Sequence, residues 1–82
     1  MKTGVAYLSA LRPGQKGTIV SFTDYELSLK LMEMGCLPGE EIEVIRIAPF
    51  GDPIAYSVSG YVLSLRKNEA ATVVITISDE RP

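Results

Sequence analysis

Apolar and polar positions change period several times along the chain, and each change marks an element. From Lys16 to Phe22 the residues Thr18, Ile19, Val20 and Phe22 are the β-branched and aromatic types that suit a pleated strand. Between Asp24 and Met34 the period lengthens. Leu27, Leu31 and Met34 fall at i, i+4 and i+7, which places them on one face of a helix over about 24–34, with Leu29 and Met32 beside them. Thr23 and Glu26 have the spacing of a capping box, and Gly35 suits the left-handed position past the helix end. Pro38-Gly39 then sets a turn.

Alternation returns from Glu40 to Ala48. Glu41 and Glu43 take one side and Ile42 and Val44 the other, until Ile45 and Ile47 bring apolar groups to the first side. That switch predicts either a strand end buried on both faces or a bulge near Val44-Ile45. Ile54 to Val58 and Tyr61 to Arg66 read as two strands of a hairpin turning at Ser59-Gly60. Thr72 to Ile77 is a dense β-branched run that predicts a buried last strand, and residues 78–82 read as a frayed polar tail. Val5 to Leu8 offers an opening strand. Five to six short strands with one inserted helix and Gly/Pro turns predict a mainly β fold, a small and strongly bent barrel. The 82 residues make a single domain with its core over about 5–77.

Composition narrows the function by subtraction. There are no histidines, so the commonest general base and metal ligand is missing, and the lone Cys36 has no imidazole to activate it. Cys36 reads as a small buried hydrophobe beyond a helix end. No phosphate-cradling glycine loop is present, which argues against a nucleotide site. Glu40, Glu41 and Glu43 are the densest carboxylates, but they lack the further ligands of a dedicated metal site. They read as a solvated strand face. We therefore expect no catalytic residue, no cofactor and no metal.

Eight basic residues stand against ten acidic ones, a formal charge of −2, and only Arg66-Lys67 are adjacent. Nucleic-acid binding and polybasic membrane attachment both need a denser positive face. No run approaches the ~20 apolar residues of a spanning helix, and the single cysteine suits a reducing cytoplasm. A membrane would then be reached only through a partner. With 46% hydrophobic residues, a domain this small either keeps apolar surface for one or holds a barrel core with ordinary surface aliphatics. Phe50, between Pro49 and Pro53 in the Ala48–Pro53 loop, is either such a contact or a plug folded over the barrel end. Asp52, before Pro53, reads as forming a side-chain turn.

Three motifs in order carry a resemblance. They are Leu31-Met32-Glu33-Met34-Gly35-Cys36-Leu37-Pro38-Gly39, then Ala48-Pro49-Phe50-Gly51-Asp52-Pro53, then Gly60-Tyr61-Val62-Leu63-Ser64-Leu65-Arg66-Lys67-Asn68-Glu69-Ala70. With the Leu11-to-Gly17 entry, the chain resembles the FeoA family of ferrous iron transport protein A domains. The resemblance implies an SH3-like barrel with an inserted helix. It also implies a cytosolic accessory role beside FeoB, the membrane ferrous-iron transporter with a GTP-binding domain. Carried over by position, the contact residues would be Leu27, Leu31 and Met34 on the helix and Pro49, Phe50, Gly51, Asp52 and Pro53 in the loop. The alternative is a metal-responsive module like the barrel domain of DtxR-type iron-dependent repressors, although a DNA-binding helix-turn-helix is missing. A polyproline binder would need an aromatic cluster that the sequence does not form. Self-association into a homo-oligomer through strand edges stays open.

Overall fold

The computed structural model describes residues 2–79. Six strands form one antiparallel sheet: β1 (Lys2–Tyr7), β2 (Lys16–Phe22), β3 (Glu41–Ile47), β4 (Ile54–Val58), β5 (Tyr61–Leu65) and β6 (Val73–Asp79). The helix α1 (Tyr25–Glu33) connects β2 to β3, and a four-residue helix α2 (Lys67–Ala70) connects β5 to β6. The opening strand is longer than the apolar run suggested and ends before Leu8, which enters a 3-10 turn over Leu8–Ala10. Of the expected polar tail, Ser78 and Asp79 belong to β6, and residues 80–82 lie outside the described residues.

The strand order is β1-β6-β2-β3-β4-β5, and this corrects the expected barrel. Closure would require β1 and β5, the two outer strands, to bond to each other; they do not, and the sheet is open. The reason lies where the chain exits each edge strand. It leaves β1 into the 3-10 turn and leaves β5 into α2, and these two short pieces pack against each other with Leu8 and Ala70 fully buried.

The inner face is lined by Ile19, Ile42, Val44, Ile54, Tyr56, Val58, Leu65, Val73 and Ile75, with Leu31 from α1 and Cys36 from the turn after it. Burial alternates strictly along β4, as period-two geometry requires. Two irregularities bend the sheet: the β2–β6 register shifts between Ile19 and Ser21, and the β3–β4 register shifts between Val44 and Arg46. The second lies where the hydrophobic pattern changed side, and Ile45 is consequently exposed. Gly17 marks a close approach inside the sheet. A Cβ there would lie 2.7 Å from Ile75 Cδ1 and 2.9 Å from the Thr76 carbonyl oxygen.

Helix α1 starts one residue later than the capping-box spacing suggested. Asp24 is the N-cap, its Oδ1 accepting from the Leu27 N–H at 3.0 Å, while the Thr23 hydroxyl donates to the Thr72 carbonyl. At the other end Cys36 N–H donates to Leu31 O and Gly35 N–H to Met32 O, both at 3.0 Å, with Gly35 at φ 108°. This is a Schellman ending, whose apolar pair is Leu31 and Cys36, both fully buried. Pro38 and Gly39 then form the expected turn, with Glu40 N–H donating to Leu37 O at 3.0 Å and Gly39 at φ 93°.

Candidate functional site

The loop from Ala48 to Pro53 is built as a perch. Gly51 N–H donates to Ala48 O at 2.7 Å, closing a β-turn with Pro49 and Phe50 at its centre. Proline at the first central position sets the φ such a turn needs. The base is clamped by Ala48 N–H donating to Pro53 O at 3.1 Å, and the Asp52-Pro53 peptide is cis. Phe50 is 100% exposed at the tip, so it plugs nothing. The side-chain turn expected of Asp52 is absent. Its Oδ1 instead accepts from the backbone N–H of Lys67 at 2.9 Å, at the first residue of α2, and this ties the loop to the helix after the hairpin.

Helix α2 is held in turn by Glu69. Its Oε1 accepts from the Arg66 N–H at 2.8 Å, Glu69 N–H donates to Arg66 O at 2.9 Å, and its Oε2 pairs with Lys30 Nζ of α1 at 3.0 Å. The Arg66 N–H foremost, then the Lys30 ammonium, hold the Glu69 carboxyl below its usual pKa. This four-residue helix escaped the sequence reading because it is too short to show periodicity. The only available signal was a glutamate three residues after Arg66, the spacing of a reciprocal cap.

The helix residues divide differently from expectation. Leu31 is fully buried in the core and Leu27 is half-buried against it, so the i, i+4 face is a packing face, and Leu31 is removed from the contact surface. Met34 is 38% exposed, and the open side of α1 carries Tyr25 and Leu29 at i, i+4 instead. Pro49, Asp52 and Pro53 are exposed and Gly51 is half-buried, so the loop half of the predicted surface is the accessible half.

Glu40, Glu41 and Glu43 line a shallow open cleft of about 270 Å³ with Ser57, Ser59 and Gly60. The Ser59 hydroxyl donates to Glu40. Among the described residues, no group of three or more histidine, cysteine, aspartate or glutamate side chains is placed to hold a metal ion. Cys36 is fully buried, and burial pushes its thiol pKa up, away from reactivity. Burial, with Cys36 nearby, likewise raises the Tyr56 phenol, whose hydroxyl has no hydrogen-bond partner among the described residues. No helix among them is long and apolar enough to cross a membrane.

Comparison with known proteins agrees with this geometry. The chain is 34% identical over 71 residues to an Fe(2+) transport protein A/Fe(2+) transporter FeoB fusion protein of Porphyromonas gingivalis, covering 85% of this chain and 8% of that much longer protein. The NMR structure of a FeoA-like protein from Clostridium acetobutylicum superposes with a TM-score of 0.87 at 32% identity, covering 100% of this chain and 95% of that one. A manganese-dependent transcriptional repressor matches with a TM-score of 0.80 at 16% identity over 95% of this chain and 44% of its own, a likeness of fold alone. The FeoA domain model matches residues 7–77, which include the perch, the Schellman turn and the hairpin, and the chain belongs to the FeoA family.

Proposed function

We propose that this protein is an accessory factor of ferrous-iron uptake that docks on the cytosolic GTP-binding region of a FeoB-type transporter through the Phe50 loop. The observation that carries the reading is a fully exposed phenylalanine on a loop closed at its base and anchored to α2. An aromatic ring held out in water gains ~2 kcal/mol or more when a partner covers it, and a braced loop loses little entropy on being covered. The partner is suggested by the Porphyromonas relative, in which a similar segment shares one polypeptide with FeoB. Pro49 and Pro53 frame the ring, Gly51 and Asp52 hold its turn, and Tyr25 with Leu29 on the open side of α1 adds a second apolar patch.

Calorimetry of the purified protein against the transporter's cytosolic region tests this. Phe50→Ala leaves the fold intact, because the ring touches no core residue, and weakens binding at least about tenfold, as loss of an aromatic anchor does. Unchanged affinity in that variant would rule out the loop as the contact.

A further inference from the structure

The outer strands of the sheet are β1 and β5, and β5, Tyr61-Val62-Leu63-Ser64-Leu65, has no charge, no proline and no bulge against β4. Proteins that stay single usually blunt an edge with one of those devices. Tyr61 and Val62 are 74% and 70% exposed.

The hairpin fixes which backbone groups are left over. Ser59 at φ 52° and Gly60 at φ 82° form a two-residue turn with both central residues left-handed, closing on the Val58–Tyr61 pair. In such a hairpin the closing pair is hydrogen-bonded and bonding alternates from there, so Tyr61, Leu63 and Leu65 direct their N–H and C=O groups to β4. Val62 and Ser64 direct theirs outward.

We infer that β5 pairs antiparallel with β5 of a second copy of this chain, on a two-fold axis through Leu63. In that register Val62 of each copy exchanges both bonds with Ser64 of the other, leaving none of the outward groups unpaired. Leu63 faces Leu63, and Tyr61 lies beside Leu65. Charge selects the occupant. Arg66 and Lys67 lie exposed just past one end of β5, and Glu40 lies at the other end, accepting from the Ser59 hydroxyl. The axis through Leu63 brings the Arg66-Lys67 end of each copy to the Glu40-Ser59 end of the other. The strand is therefore complementary to itself end for end. This pairing uses neither Phe50 nor α1 and stands apart from the docking reading.

Sedimentation equilibrium of the full chain up to about 1 mM gives the test. The wild type shows a concentration-dependent monomer–dimer equilibrium. Ser64→Pro removes an outward N–H without touching the β4 ladder and weakens dimerisation about tenfold or more, with an unchanged circular dichroism spectrum. Should proline disturb the hairpin, Val62→Lys places a charge at the exposed edge and has the same effect. Mild oxidation of Leu63→Cys yields a disulfide-linked dimer, since non-bonded antiparallel pairs approach to about 4.5 Å between Cα atoms, while Val62→Cys yields none. The buried Cys36 stays silent in both. A wild type that remains monomeric overturns the inference, as does a dimer indifferent to both edge substitutions, or cross-linking at Val62 in place of Leu63. Loss of transporter binding in Ser64→Pro with a monomeric wild type would give the edge to the transporter and equally overturn it.

Discussion

At the scale of single residues, two buried positions test how closely the core is fitted. Tyr56 is fully buried on the inner face of β4, yet its hydroxyl lacks a partner among the described residues. An unsatisfied buried hydroxyl costs on the order of 1 kcal/mol or more, and removing it leaves the ring's packing in place. Tyr56→Phe is therefore expected to stabilise the fold by about 1 kcal/mol, read as a higher urea midpoint with unchanged slope. Gly17 has the opposite character. A methyl group there meets the Thr76 carbonyl, which is backbone and cannot move aside cheaply, and the buried Ile75. Gly17→Ala is expected to lose about 2 kcal/mol by overpacking, seen as a lower midpoint in the same titration. Neither expectation could be read from the sequence. The tyrosine's missing partner depends on which side chains converge around it, and Gly17 sits in a strand where nothing nearby in the chain indicates how closely β6 passes.

At the scale of elements, α2 depends on one carboxylate. Glu69 accepts the Arg66 N–H and meets Lys30; Lys30 is 61% exposed, so the ion pair contributes little beside the cap. Glu69→Ala is expected to cost about 1 kcal/mol near neutral pH. The sign of its pH dependence comes from the lowered folded pKa. The stabilisation is fully present above the ordinary value of 4.5 and is lost as pH falls through the lower folded value, so the gap between wild type and variant closes in acid. Denaturant titrations across that range measure it. Elements with strong local signals were legible in advance: the helix with its glycine ending, the Ser59-Gly60 hairpin and, as one of two readings of the side change, the bulge beside Val44. The helix start was misplaced by one residue because Thr23 and Asp24 are both good caps. What decides between them is the distant Thr72 carbonyl, which takes the threonine hydroxyl.

For the whole molecule, what the sequence withheld was the relation between its ends. Periodicity tells which face of a strand is buried, but not whether the first strand meets the fifth, and the two stay apart at the outer positions of the sheet, where the chain turns from one into a 3-10 turn and from the other into a short helix. The apolar face of α1 was likewise legible as a face, though not as one already occupied by the core. That is why Leu31 reads as a contact in the sequence and packs as a core residue in the fold. Phe50 was legible as either anchor or plug, and its full exposure removes the plug. The loop that carries it is not a loose appendage, because Asp52 ties it to the start of α2 and Glu69 ties α2 to Lys30 on α1. A partner that gripped the phenyl ring would therefore also pull on the start of α2.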